Sequence, residues 1–422
     1  VHVVIIGNGI AGVTAARFLR KNSDARLTIV SSETEFHIAR TALMYAYMGD
    51  LRESDLKPYE DGFWSKNRME LVMDHATGLD TQSRSVHLAS GRQLAYDRLI
   101  LATGSRPNRF GWTGEHLDGV QGLYAWSDLK SMERITENIQ DAVVVGGGLI
   151  GIELAEMLRS RSIGVHFLVR ESAYMDHLLS REESELIHRQ IERHGVQLHL
   201  GCEVDRFEDD GHGRVAAVTT RDGRSFPAAF AGIGVGVQPR VDLAESAGIE
   251  INKGILVDRS FHTSVPDVYA AGDCAEFREP LSDGRTIEQL WYSARRQGRV
   301  LGLILAGKDL TYDTPVFYNS AKFFDLEYQT YGHVPATDDA GLKTLCWKDG
   351  MRLVRVARRS DTGALAGVTG FGVRLRHEVA AGWIRSERRA TFSEQDIQEL
   401  VFDPEFTSLP YNEIAHITSA WT

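Results

Sequence analysis

Short apolar runs that stop at glycine and give way to helical periodicity recur along the chain. Residues 3–6 (VVII) form a β-branched run suited to a central parallel strand; a glycine-rich turn follows, and AARFLRK begins a helix. ARLTIV reads as the next strand. Residues 142–158, AVVVGGGLIGIELAEML, repeat the order of strand, glycine turn and helix, with GVHFLV as the strand after it. The pattern changes beyond residue 313. There VFYNSAKFF, LEYQTYGHV, LKTLCWK and MRLVRVARR read as strands and RLRHEVAAGWIRS as a helix.

At 422 residues the chain is too long for one hydrophobic core and fits two or three domains. Its 43% hydrophobic and 25% charged residues are globular values that argue against long disorder. Eighteen uninterrupted apolar residues never occur, so no transmembrane segment is expected. The N-terminal apolar run is broken by glycines and has no basic leader, which predicts no signal peptide and a cytoplasmic protein. Cys202, Cys274 and Cys346 are far apart and form no CxxC, so neither a disulfide framework nor a metal site is expected. A net charge of -11 disfavours nucleic acid as a partner.

Gly7, Gly9 and Gly12 supply a GxGxxG spacing between strand and helix. The first glycine permits a tight turn, the second lets a pyrophosphate approach the backbone, and the third lets helix and strand pack closely, with the helix N-terminus aimed at the phosphates. Glu33 lies 21 residues after Gly12, where a carboxylate receives ribose hydroxyls. Gly146, Gly148 and Gly151 repeat the spacing. Two such units imply two dinucleotides.

Between and after the fingerprints lie YDRLILATGSRPN, residues 96–108, and VPDVYAAGDCAEF, residues 265–277. With these four ordered motifs the chain resembles the pyridine nucleotide-disulfide oxidoreductase superfamily, the glutathione-reductase-like flavoproteins, over roughly residues 1–312. The resemblance implies an α/β fold with two Rossmann-like domains, the first fingerprint binding FAD and the second NAD(P)H. It implies an interrupted FAD domain (1–111 and 240–312), an inserted NAD(P)H domain (112–239) and a C-terminal α+β interface domain (313–422) that completes a pocket or a homodimer. Thr103 and Gly104 mark the first crossing, and Asp273 of Gly272-Asp273 accepts from a ribityl hydroxyl of FAD. Trp291 in EQLWYSARRQG matches an aromatic beside the isoalloxazine in ferredoxin reductases; plain core packing is the other reading of a tryptophan there.

The thiol-dependent branches carry a cysteine near the start of their second helix. Here FHIARTALMYAYMG occupies residues 36–49, Ala42 stands at that position, and no cysteine precedes Cys202. Thiol relay through the usual site is excluded, and Cys274 and Cys346 read as buried small hydrophobes. The chain is therefore similar to the cysteine-free branch nearest the ferredoxin and rubredoxin reductases. Arg40 matches their arginine that neutralises the FAD pyrophosphate. Thr41 replaces the proline of their YxRPxLSK pattern, and Tyr45 takes the place of its lysine, near the flavin and a candidate catalytic residue.

Glu153 in GGGLIGIE matches an acid that meets the nicotinamide carboxamide; a helix N-terminal acid favoured by the macrodipole is the alternative. After GVHFLV come Arg170, which suits a 2′-phosphate, and Glu171, which suits a free ribose, leaving NADH and NADPH both open. Between Lys343 and Arg389 there are eleven Lys and Arg against four Asp and Glu, a net of +7. This excess, with Arg352, Arg355, Arg358, Arg359, Arg374 and Arg376, reads either as a solvated surface or as a docking face for an acidic electron-carrier protein. The expectation is an FAD-dependent NAD(P)H oxidoreductase that passes electrons to a carrier protein or another diffusible acceptor. Alternatives are a type II NADH:quinone oxidoreductase and a flavoprotein redox sensor.

Overall fold

The computed structural model describes residues 1–401; the tail FDPEFTSLPYNEIAHITSAWT, in which the sequence shows no basic amphipathic face, lies outside the described residues. The chain forms two compact units, each discontinuous in sequence. The first comprises Val1–Asn108, Tyr124–Arg134 and Gly236–Thr314; the second comprises Arg109–Leu123, Ile135–Val235 and the chain from Pro315 on.

In the first unit the VVII run is the centre of a five-stranded parallel sheet. The order is Val268–Ala270, Arg98–Leu101, His2–Ile6, Arg26–Ser31, Met69–Met73. Ile5 pairs with Ile29 on one side and Ile100 on the other. Both faces of this strand are covered, which is why its sequence is continuously apolar rather than alternating. The helices Ile10–Asn22 and Trp291–Leu305 pack against each other at backbone distance: a Cβ on Gly298 would lie 2.3 Å from the Ala11 carbonyl oxygen, and one on Gly302 2.5 Å from that of Ala15. Ser105–Pro107 and Val237–Pro239, which flank the points where the chain leaves and re-enters this unit, pair as a two-stranded antiparallel ribbon.

The second unit holds another five-stranded parallel sheet, ordered Val196–His199, Gly164–Leu168, Asp141–Val145, Ala231–Ile233, Val120–Gln121. Its C-terminal part is a five-stranded antiparallel sheet in the order Tyr318–Phe323, Leu326–Gly332, Leu365–Phe371, Arg352–Arg359, Leu342–Asp349. Four of these strands fall on the sequence pattern. The fifth, Leu365–Phe371 (LAGVTGF), does not, because its glycines disguise a strand that is buried along most of its length. The helix His377–Arg385 covers one face, with Trp383 in a core with Val354, Val356 and Val368.

The arginines of the basic segment are not a common free face. Arg355 is 4% exposed and forms a buried ion pair, 3.1 Å, with Glu183 of the helix Arg181–Arg193. It also donates to the carbonyls of Pro335 and Ala336. Arg374 is bidentate to Glu327 and Arg352 is paired with Asp349. The expected docking face is thereby corrected at Arg355: a strand covered on both faces puts an arginine inside, where a buried carboxylate offsets its charge. Cys346 is also corrected, since its side chain is exposed, whereas Cys274 is fully buried with Sγ 3.4 Å from the Leu101 carbonyl.

Candidate dinucleotide sites

The three glycines of the first fingerprint differ in what surrounds them. Gly7 has φ +116°, and a Cβ there would stand 2.1 Å from the Ala102 carbonyl oxygen. A Cβ on Gly12 would stand 2.2 Å from the oxygen of Gly7. Around Gly9 nothing lies within 4 Å of that position. Two glycines are therefore demanded by the protein's own packing, while the middle one opens onto room at the N-terminus of the helix Ile10–Asn22. That end has no side-chain cap and no acid in its first turn, leaving its amides and the positive end of the dipole for an anion.

Beside this turn the structure brings together several of the residues expected from sequence. Glu33 accepts from Arg40 Nη1 (3.0 Å) and Nη2 (2.5 Å) and from the Trp126 amide (2.9 Å). Of roughly four acceptor directions on a carboxylate, one is left for a ribose hydroxyl. Arg40 also donates to the Tyr124 carbonyl and lies over the Tyr124 ring, 4.8 Å from its centroid. Tyr124 Oη accepts from the Ser105 amide (2.9 Å), and Ser105 Oγ donates to Asp273 Oδ2 (2.9 Å). Burial pushes the Asp273 carboxyl up, against the pull of Ser105 and Arg40. The expected residues Glu33, Arg40 and Asp273 are thus linked through Tyr124 and Ser105. Thr103 Oγ1 donates to the Arg240 carbonyl (2.7 Å), and the Gly104 carbonyl accepts from the Arg240 amide (2.9 Å), so both hold the returning chain.

Gly272, at φ +83°, donates its amide to Gln297 Oε1 (2.7 Å). Gln297 in turn donates to the buried Glu288, which also accepts from Ser293 and, at 2.6 Å, from Tyr312 Oη. This network fixes Asp273 from behind. Glu288 and Gln297 lie within a few residues of Trp291, but only an aromatic was legible there. Trp291 is half-buried at the start of its helix, with the Arg295 guanidinium 5.4 Å from its ring centroid. Tyr45 is half-buried on the short helix Leu43–Met48, next to the turn that carries Arg40.

The second unit repeats the first arrangement. Gly146 has φ +107°, its Cβ position lying 2.5 Å from the Gly234 carbonyl oxygen; that of Gly151 is 2.0 Å from the Gly146 oxygen. At Gly148 the nearest atom is 3.6 Å away, an ordinary contact. Again the helix it begins, Leu149–Ser160, has no side-chain cap and no first-turn acid. Gly234 was not read from the sequence, yet a Cβ there would meet the Gly151 amide at 2.7 Å. Tyr174, fully buried, donates from Oη to the Gly148 carbonyl (2.9 Å).

Glu153 is the fifth residue of this helix, beyond the first turn, which removes the macrodipole explanation. Its carboxyl is pushed up to about 7 by burial and, secondarily, by Glu156. Arg170 stands exposed two residues past the strand Gly164–Leu168 and pairs with Glu171 at 2.9 Å. Among the described residues no group of three or more His, Cys, Asp or Glu is placed to hold a metal, and no helix is long and apolar enough to cross a membrane.

The family model described as pyridine nucleotide-disulphide oxidoreductase matches residues 1–298. The ferredoxin–NAD(+) reductase component of the biphenyl dioxygenase system of Paraburkholderia xenovorans is 34% identical over 284 residues, 67% of this chain and 69% of that one. The corresponding subunit of the benzene 1,2-dioxygenase system of Pseudomonas putida is 31% identical over 313 residues, 74% of this chain and 75% of that one. The crystal structure of the ferredoxin reductase for the CYP199A2 system of Rhodopseudomonas palustris superimposes with a TM-score of 0.80 at 26% identity, covering 88% of this chain and 91% of that one. On this evidence the chain belongs to the pyridine nucleotide-disulphide oxidoreductase family, and it is an FAD-dependent NAD(P)H oxidoreductase.

Proposed function

We propose that the protein takes electrons from NAD(P)H and delivers them one at a time to an acidic carrier protein of ferredoxin or rubredoxin type, with no cysteine in the relay. The observation that carries this reading is Ala42 at the position of the thiol, in a chain whose first cysteine is Cys202. The names of the relatives, ferredoxin–NAD(+) reductases, support the acceptor class.

In this reading residues 1–111 and 240–312 hold FAD, residues 112–239 hold NAD(P)H, and 313–422 form an interface domain. FAD, when bound, would supply two-electron chemistry toward nicotinamide and one-electron chemistry toward the carrier. The chain's own residues do the rest. Amides at Gly9 and Gly148 meet the two pyrophosphates, and Arg40 neutralises charge at the first while Glu33 takes a ribose hydroxyl. Asp273, backed by Ser105, orients the ribityl chain. Trp291 and Tyr45 exclude water from the flavin's surroundings. Glu153, whose carboxyl burial raises to about 7, orients the nicotinamide carboxamide as hydrogen-bond donor or acceptor. Arg170 and Glu171 compete over a 2′-phosphate or a free ribose. A cytoplasmic location and a homodimer belong to the same reading; fractionation and sedimentation check them.

The test is stopped-flow reduction of the purified protein by NADH and by NADPH, followed by mixing with ferredoxin, rubredoxin, a quinone and oxygen. Yellow protein that is reduced by nicotinamide and discharged fastest by a carrier protein is expected. A colourless protein that stays without flavin after incubation with FAD overturns the cofactor assignment. Discharge by quinone alone overturns the carrier.

A further inference from the structure

The helices Ile10–Asn22 and Trp291–Leu305 together carry Arg17, Arg20, Lys21, Arg295, Arg296 and Arg299 and no acidic residue. That is +6 on two packed helices of a chain whose net charge is -11. Arg20 is turned inward onto the carbonyls of Ser23, Ala25 and Arg68. Among the described residues none of the other five forms an ion pair with a carboxylate. The nearby acid Asp24 is held by Arg68 at 2.7 Å.

The side chains converge. Phe18 has the Lys21 ammonium 5.8 Å and the Arg299 guanidinium 5.5 Å from its ring centroid, so cations from both helices share one aromatic. Trp291, Arg295 and Arg299 are four residues apart and line one face of their helix over about 12 Å. Lys21, Arg295 and Arg299 are exposed, and Tyr292 is exposed beside them. Arg17 lies over the Tyr59 ring, 5.2 Å from its centroid. Charge at this density, held on rings but with no carboxylate partner, is costly in self-repulsion unless a partner of opposite sign uses it.

We propose that this two-helix face, running from Trp291 through Arg295 and Arg299 to Lys21 and Arg17, is the docking surface for an acidic one-electron carrier protein. The inference rests on the carrier reading above and replaces the C-terminal segment as the place of docking. Redox encounters are small and fleeting, so a face of two helices is enough area. Trp291 at its upper end is the residue assigned to the flavin's surroundings, so a carrier held on the stripe meets the electron donor at one end of its footprint. Each NADH supplies two electrons. Two oxidised carriers take one each, and NAD+ and one proton are released.

The experiment uses the FAD-loaded full chain, NADH, and a purified acidic [2Fe–2S] ferredoxin as probe, with a neutral quinone as control. Lys21→Glu/Arg299→Glu is expected to lower the second-order rate of ferredoxin reduction by about tenfold or more at low ionic strength and to flatten its salt dependence. Reduction of flavin by NADH and turnover with the quinone stay unchanged. Lys21→Arg/Arg299→Lys, which keeps the charge, retains the rate. A wild-type protein that reduces ferredoxin while the reversed variant does so equally well overturns the surface and leaves the carrier reading standing. A wild-type protein that reduces quinone but no ferredoxin overturns both. Binding of the wild type to vesicles of anionic lipid, lost in the reversed variant while ferredoxin rates hold, assigns the face to a membrane surface and overturns the proposal.

Discussion

Replacing Glu153 by glutamine tests the electrostatics of the second site without touching its shape. In the folded chain this carboxyl is raised from 4.5 to about 7, first by burial and then by Glu156. Below pH 4.5 the group is protonated folded or unfolded. Between 4.5 and 7 only the folded chain keeps the proton, so stability falls as pH rises through that window and the loss is complete above it. At 1.36 kcal/mol per pH unit the loss is about 3 kcal/mol. Glutamine is neutral throughout and removes the slope. Urea unfolding of both proteins at intervals from pH 5 to pH 8, without nicotinamide nucleotide, reads the difference directly. Near pH 5 the two should be almost equally stable, and at pH 8 Glu153→Gln should be the more stable by up to about 3 kcal/mol. Glu156→Gln, which removes the like charge, should shift the window downward. A difference that is constant across pH refutes the reasoning, because it leaves no proton linked to folding at this position.

The glycine geometry separates ligand room from protein packing: Gly9→Ala should fold normally and lose FAD content, whereas Gly12→Ala, 2.2 Å from the Gly7 oxygen, should lose about 1 to 3 kcal/mol of stability. Absorbance at the flavin band with thermal melts distinguishes them. Arg170→Ala should weaken NADPH more than NADH by about 1.5 to 3 kcal/mol if the guanidinium meets a 2′-phosphate; equal loss in titrations of the two nucleotides makes it an ordinary surface arginine. Arg355→Met strands a buried carboxylate and should cost about 3 to 5 kcal/mol. Adding Glu183→Gln, which neutralises that carboxylate, should recover much of the loss in denaturant midpoints.

What the sequence reveals here is local. Apolar runs, glycine spacing and Glu33 at its fixed distance are all contained in stretches of a few dozen residues, and they lead to both parallel sheets and to the open glycines. What escaped it is joined across long separations. Arg40 meets Tyr124 over 84 residues and Ser105 meets Asp273 over 168, so nothing beside either residue announces its partner. Arg355 misled for a different reason: alternation marks a half-solvated strand, and Arg352–Arg359 is buried on both sides over most of its length. The strand Leu365–Phe371 went unread because glycines interrupt its apolar run, yet Gly367 is needed there because a Cβ would meet the His333 carbonyl at 2.5 Å.

The close packing of the helices Ile10–Asn22 and Trp291–Leu305 orders events on the ribosome. At about 5 to 20 residues per second, roughly 15 to 55 s separate emergence of the first helix from arrival of Gly298 and Gly302. The strand Val268–Ala270, an edge of the first parallel sheet, arrives nearly as late. All five strands of the second parallel sheet come between residues 120 and 233 and are complete sooner. The first fingerprint is therefore translated before the second and completed after it, and through that interval the apolar face of its helix is left to a chaperone or to transient contacts within the nascent chain.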